Sequence, residues 1–203
     1  MSDHEQRNVP GLPCDPFHVR IHGRGGQGVV TAAELLGLAA FFDGFEVQAF
    51  PSFGSERMGA PVVAFCRIAS EPIRVREPVT HPDAIVILDA TLLHHVDVFG
   101  GLADDGFVLV NSLHSAADLG IDTVTDRVGR DHVAIVPAGE LARARTGSPR
   151  PNVVALGAFG ALTGTVSLDA LERAVLGRFG PDRQDNLLLV RAGFDAVAAV
   201  GSA

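Results

Sequence analysis

The feature that most constrains the fold is a glycine-rich loop between an apolar strand and an apolar helix. The strand contains Val19 and Ile21, and the predicted helix begins near Val29. Glycines at this spacing (G-x-G-x-x-G) let backbone N–H groups approach a ligand closely, and the helix N-terminus adds unpaired N–H groups and a positive dipole end. The pattern predicts a phosphate-binding loop made of Gly23, Arg24, Gly25, Gly26, Gln27 and Gly28.

Two other interpretations of the loop stay open. The glycines also suit a tight turn that only packs the helix against the sheet. In a nicotinamide-binding fold, an acidic residue usually follows about 20 residues later, at the tip of the second strand. Here the predicted second strand, Glu46 to Phe50, continues into Pro51-Ser52 without an acidic residue. Nicotinamide dinucleotides are therefore disfavoured.

Composition excludes several classes of partner. The chain has 203 residues, enough for one α/β domain, and a net charge of −8. Because no run of basic residues occurs, we expect no nucleic-acid or membrane partner. No apolar run reaches the ~18 residues of a membrane span, and the N-terminus lacks the apolar core of a signal peptide. The expected location is the cytoplasm.

Cysteine and histidine spacing argues against a metal centre. Cys14 and Cys66 stand alone, without disulfide or C-x-x-C spacing. An iron–sulfur cluster needs about four cysteines, so this chain alone is expected to hold none. The histidines form no H-E-x-x-H motif. We predict no metal site and assign no catalytic residue.

The order of predicted elements indicates an α/β protein. Residues 1–16 are predicted to be a flexible N-terminal arm, and residues 17–203 a single domain. Strands are predicted at Glu46 to Phe50, Val62 to Ile68, Glu71 to Arg76 (an exposed edge strand), Ala84 to Leu88, Phe107 to Val110 and Val133 to Val136. This order predicts a three-layer, Rossmann-like fold with a mostly parallel open sheet and C-terminal helices.

Helix caps complete the prediction. The first helix is expected from Val29 to Phe42 and the last from Gln184 to Val200. Asn152 and Ser167 are predicted N-caps of two helices between them. Asp89, at the end of the buried strand, either caps the next segment or contacts a ligand.

A second loop, after the second strand, mixes large apolar and charged side chains. It contains Phe53, Ser55, Glu56 and Arg57, followed by Met58. A solvated turn and a contact surface are both consistent with this composition.

Together, residues 23–68 resemble the gamma subunit, or gamma domain, of 2-oxoacid:ferredoxin oxidoreductases of the pyruvate and ketoisovalerate type. In that family a G-x-G-G-Q-G loop and helix precede an F-G-S-E-x-R-G-like loop and a strand, as they do here. Met58 departs from the basic residue often found there. The similarity extends over most of residues 18–200.

The resemblance implies a subunit that is not catalytic alone. Such enzymes decarboxylate a 2-oxoacid on thiamine diphosphate with Mg²⁺, transfer electrons through iron–sulfur clusters to ferredoxin, and form acyl-coenzyme A. These cofactors are expected on thiamine-binding and iron–sulfur partner subunits. The Gly25–Gly28 loop is expected to hold coenzyme A phosphates, with Arg24 supplying charge. Phe53, Ser55, Glu56 and Arg57 are expected to line the subunit interface or the coenzyme channel.

Two alternatives remain at this point. One is a free-standing Rossmann-type oxidoreductase that uses NAD or a flavin. The other is a non-catalytic scaffold subunit whose glycine loop packs a partner and binds nothing.

Overall fold

The computed structural model describes residues 11–52, 58–180 and 184–198. Within these residues, six strands form one sheet in the order β2-β3-β1-β4-β5-β6. The strands are β1 (Phe17–Arg24), β2 (Glu46–Pro51), β3 (Pro61–Ala69), β4 (Ala84–Ile87), β5 (Phe107–Asn111) and β6 (Val133–Val136). The β1–β4, β4–β5 and β5–β6 pairs are parallel, whereas β3 runs antiparallel to both of its neighbours. The predicted open, mostly parallel sheet is confirmed.

The helices connect these strands and form the C-terminal part of the domain. They are α1 (Val29–Phe42), α2 (Ala116–Leu119), α3 (Asp122–Val128), α4 (Ala138–Thr146), α5 (Asn152–Thr163), α6 (Leu168–Phe179) and α7 (Gln184–Ala198). A short 3₁₀ helix, Ala90–His94, follows β4. The predicted bounds of the first helix agree with the structure. The last predicted helix is confirmed up to Ala198, and its final two residues lie outside the described ranges.

Two apolar cores on opposite faces of the sheet make the three layers. On one face, Val19 and Ile21 of β1 pack with α1 and α5 in a large core. On the other face, Ile85 and Ile87 of β4 pack with residues of the 3₁₀ helix, α2 and α3. Because side chains alternate along a strand, β4 supplies both cores, which explains its continuous apolar sequence.

The C-terminal helices pack at very short separation. Every residue from Asn152 to Gly160 of α5 is buried. Gly157 of α5 and Gly193 of α7 face each other's helix, and a Cβ at either would collide with the carbonyl oxygen of Val190 or Val154. The two glycines therefore permit a backbone approach that larger residues would prevent.

The sheet has a topological switch point between β1 and β4. From β1 the chain crosses through α1 to the β2–β3 side, and from β4 it continues to β5 and β6 on the other side. Ligands of open α/β sheets bind at the carboxyl ends of the strands beside such a point. The glycine loop after β1 and Asp89 after β4 both lie there.

Two local predictions were wrong. Glu71 to Arg76 is not a strand: it pairs with no strand of the sheet, whose edges are β2 and β6. Arg67 donates a hydrogen bond to the carbonyl oxygen of Glu77, and thereby ties the segment to β3. Asn152 is not an N-cap but the first residue of α5, after Pro151. The cap at Ser167 is confirmed, since its hydroxyl accepts from Ala170 N at 3.1 Å.

Candidate anion-binding site

The glycine loop adopts backbone angles that favour glycine at two positions. Gly26 has a φ of 95° and Gly28 a φ of 79°, both in the left-handed region. Gly28 is also the N-cap of α1, and no side chain caps this helix. The N–H groups of the first turn of α1 are therefore free to bind a ligand.

A polar network fixes the loop to the end of β4. The Gln27 side chain donates to Asp89 Oδ2 at 2.8 Å and accepts from the Arg24 backbone N–H at 2.7 Å. The Arg24 guanidinium lies 3.3 Å from Asp89 Oδ2 and donates to Gly59 O at 3.0 Å and to Thr91 Oγ1 at 2.9 Å. These contacts hold the partly exposed Arg24 side chain in an ion pair beside the loop.

Asp89 is the shared acceptor of this network. Its carboxylate also caps the 3₁₀ helix by accepting from Thr91 N at 3.0 Å, so the predicted cap is confirmed. Burial opposes ionisation, but hydrogen bonds from Thr91 and Gln27 and the Arg24 charge hold the pKa of Asp89 below its usual value. The carboxylate is therefore ionised at neutral pH and can keep the loop in place.

A cavity of about 560 Å³ opens beside the loop. The first turns of three helices contribute to its wall: Gly28 and Thr31 for α1, Asn152 for α5, and Asp185 for α7. Helix N-termini carry partial positive charge, and three of them border this space together with the last turns of α4 (Thr146) and α6 (Phe179), whose ends carry partial negative charge. The part of the wall suited to an anionic group is therefore the one at Gly28 and Asn152.

Asn152 is the most informative residue of the cavity. Its side chain is only 6% exposed and lies against Gly28, where a Cβ would collide with the amide. The amide makes no hydrogen bond to any residue that the structure describes. Because Asn152 lines the cavity, its amide atoms are open to that space and can bind a ligand or water there.

Two arginines add positive charge at the rim of the cavity. Arg150 lies just before α5, and Arg178 lies in the last turn of α6; both are exposed. Neither forms an ion pair with a described residue, whereas Asp185 is the one carboxylate among the described lining residues. The rim therefore has an excess of one positive charge.

The structure separates the predicted loop residues by position. Gly26 and Gly28 line the cavity. Gly23 and Arg24 belong to β1, and the Gly25 N–H is already bonded to Ala60 O at 2.9 Å. Met58 is 86% exposed and lies against Gly26. The four predicted interface residues, Phe53, Ser55, Glu56 and Arg57, lie outside the described residues.

Sequence reasoning missed Asn152 as a site residue, and with it Arg150, Arg178 and Thr31. A local signal existed for two of them, because Arg150 and Asn152 flank a proline directly before an apolar helix. Nothing in the sequence showed that this helix would begin beside Gly28.

Metal-ligand clusters and membrane-spanning helices are both absent from the described part of the chain. Over residues 11–52, 58–180 and 184–198, no group of three His, Cys, Asp or Glu side chains is arranged to hold a metal ion. In the same ranges, no helix has the length and apolar character needed to cross a bilayer.

The fold and the cavity define an open-sheet α/β protein with a polar cavity beside its switch point. Residues 18–196 match the model of the pyruvate ferredoxin/flavodoxin oxidoreductase family, and the chain belongs to this family. The resemblance found in the sequence is thereby confirmed.

Individual relatives agree with this assignment. The chain is 47% identical over 157 residues to the pyruvate synthase subunit PorC of Methanosarcina barkeri, covering 77% of this chain and 83% of that protein. It is 45% identical over 163 residues to the pyruvate/ketoisovalerate oxidoreductases common subunit gamma of Pyrococcus furiosus, covering 80% and 86%. The crystal structure of the Thermotoga maritima pyruvate oxidoreductase subunit PORC superposes with a TM-score of 0.74 at 34% identity, covering 90% and 97%.

Proposed function

We propose that this chain is the gamma subunit of a multi-subunit 2-oxoacid:ferredoxin oxidoreductase, which converts a 2-oxoacid and coenzyme A to an acyl-coenzyme A and CO₂. Thiamine diphosphate, Mg²⁺ and iron–sulfur clusters belong to partner subunits, and ferredoxin accepts the electrons. The proposal is supported by the family assignment and by relatives that are named as subunits.

The contribution of this chain is a site for the phosphates of coenzyme A. The observation that carries this proposal is Asn152, which lines the cavity beside Gly28 without a hydrogen-bond partner among the described residues, where two helices begin without side-chain caps. Phosphate oxygens accept hydrogen bonds from the Asn152 amide and the first-turn N–H groups of α1. The pantetheine arm extends from the cavity and carries the thiol toward the acyl group on a partner subunit.

The second loop is assigned to the same region of the complex. Phe53, Ser55, Glu56 and Arg57 lie between the end of β2 and Met58, which contacts Gly26 of the glycine loop. We place these four residues at the subunit interface or along the coenzyme channel.

A nicotinamide-dependent enzyme fits the topology less well. In that fold the second strand pairs directly with the first, so that its tip reaches the ribose. Here the antiparallel β3 lies between β1 and β2 and separates the β2 tip from the glycine loop.

The test is a charge change at Asn152 in the assembled complex. Asn152→Asp places a carboxylate where the phosphate binds, while an acidic residue at a helix N-terminus is itself favourable. We expect the KM for coenzyme A to rise by about tenfold or more, from the lost hydrogen bond and added repulsion. The amount of assembled complex and the KM for the 2-oxoacid stay unchanged.

Asp185→Asn is the matched control of opposite sign. It removes the carboxylate from the cavity, so the KM for coenzyme A should fall or stay the same. A scaffold without a coenzyme site predicts a different result: neither substitution changes the KM for coenzyme A, and that result would reject the proposed site.

A further inference from the structure

We infer that Arg150 and Arg178 form a separate phosphate subsite, which binds the 3′-phosphate of coenzyme A and distinguishes the coenzyme from its dephospho form. This inference rests on the proposed function and names the residues that determine ligand selectivity in the same cavity.

The cavity contains two kinds of anion-binding group at different depths. At the bottom, neutral donors predominate: the Asn152 amide, 6% exposed, and the backbone at Gly28. At the rim, Arg150 and Arg178 provide full positive charges on exposed side chains. The difference in depth and charge indicates two anionic groups of one ligand.

Neither arginine is paired with a carboxylate of the described chain, although the Arg178 guanidinium lies 6.0 Å from the centroid of the Phe179 ring. Arg24, Arg127, Arg143, Arg173 and Arg191 all form ion pairs with carboxylates. Arg150 and Arg178 form neither an ion pair nor a hydrogen bond with a residue in the described ranges, although the chain carries a net charge of −8. Two uncompensated guanidinium groups at one cavity are suited to an external anion.

Local structure places both arginines at the rim. Pro149 and Pro151 flank Arg150, and because proline fixes its own φ and restricts the residue before it, the backbone at Arg150 has few alternatives. Arg178 lies in the last turn of α6, where the helix dipole favours a positive charge.

The chemistry of the coenzyme matches this division. Its diphosphate carries one negative charge on each phosphorus and is bound by backbone and amide N–H groups. Its 3′-phosphate is a monoester with close to two negative charges at neutral pH, and it sits apart from the diphosphate on the ribose. A guanidinium group binds a phosphate monoester strongly, because it can donate two parallel hydrogen bonds.

The experiment is calorimetric titration of the full-length chain with coenzyme A and with dephospho-coenzyme A. For the unmodified chain, we expect the dephospho form to bind about tenfold to a hundredfold more weakly. Arg178→Ala and Arg150→Ala should each weaken coenzyme A binding by about tenfold and leave dephospho-coenzyme A binding within about twofold. The double variant should bind both ligands equally.

Arg173→Ala is the matched control, because Arg173 lies on the same helix, is exposed and does not line the cavity. It should leave both dissociation constants unchanged. Thermal melting of each variant checks that the fold is retained.

Three outcomes overturn the inference. If the unmodified chain binds both ligands equally well, the 3′-phosphate is not recognised, although the proposed coenzyme site stands. If the arginine variants weaken both ligands to the same extent, the arginines provide only general attraction. If neither ligand binds to the unmodified chain or to the assembled complex, the proposed function fails together with the inference.

Discussion

At the scale of single residues, His22 makes stability depend on pH. The side chain is 4% exposed, its Nε2 accepts from Arg20 Nε at 3.0 Å, and its Nδ1 is buried without a partner among the described residues. Burial, with a smaller effect from the Arg20 charge, lowers the pKa of His22 to about 4. His22 is therefore neutral in the folded protein and ionises more readily in the unfolded chain.

Lowering the pH should destabilise the folded protein through His22. Because the folded pKa is depressed, the unfolded chain binds more protons between about pH 6.5 and pH 4. The free energy of unfolding should therefore fall by about 3 kcal/mol as the pH is lowered from about 6.5 to about 4. Urea unfolding at several pH values measures this change. His22→Gln retains a hydrogen-bond acceptor for Arg20 but cannot titrate, so it should remove most of this dependence. An unchanged slope in the variant would contradict the assignment to His22.

Arg24 and Asn152 show how far single residues could be predicted. Arg24 lies in the glycine-rich motif, and the sequence suggested that its charge reaches a phosphate. That role stays a prediction. The structure shows that Arg24 also pairs with Asp89, 65 positions away, a contact that no local pattern reveals. The sequence placed Asn152 at the start of a helix, and the structure agrees to within one residue. Its proximity to Gly28 could not be predicted, because it depends on the packing of α5 beside α1.

At the scale of elements, the α5–α7 contact is the most sensitive to added volume. We expect Gly193→Ala to lower the free energy of unfolding by about 1–3 kcal/mol, because the new methyl group must displace the backbone of α5. Chemical unfolding measures this change.

Gly177 offers a matched comparison within α6. It is exposed, and a Cβ added there meets no atom within 4 Å. Gly177→Ala should therefore raise the free energy of unfolding by about 0.5–1 kcal/mol through helix propensity. If the two substitutions had the same effect, close packing at Gly193 would not be the cause.

Helices and strands could be predicted where their sequence signals lie within the element or directly beside it. The helix Val29–Phe42 follows from a glycine before it and Asp43-Gly44 after it, and β4 follows from its apolar run. The alternation in Glu71 to Arg76 is equally local, but it wrongly predicted a strand. The chain directly after this segment is bound by side chains of the sheet, since Arg67 and Arg20 donate to the carbonyls of Glu77 and Val79, and no local pattern indicates such contacts.

At the scale of the whole molecule, the order of elements was enough to predict the fold class, and the motifs within residues 23–68 indicated the family. It did not predict that β3 runs antiparallel between β2 and β1, since strand order depends on long-range pairing. The same long-range packing brings the N-termini of α1, α5 and α7 to one cavity. The site is therefore a property of the folded domain, and the glycine motif forms only one side of it.

The most direct test of this account is to locate coenzyme A on the full-length chain by NMR. Upon titration with coenzyme A, the largest chemical-shift changes should occur at the backbone amides of Gly26, Gly28 and Val153 and at the Asn152 side-chain amide. Changes concentrated instead at another surface, for example along β6, or no changes at saturating coenzyme, would contradict a phosphate site at these helix N-termini.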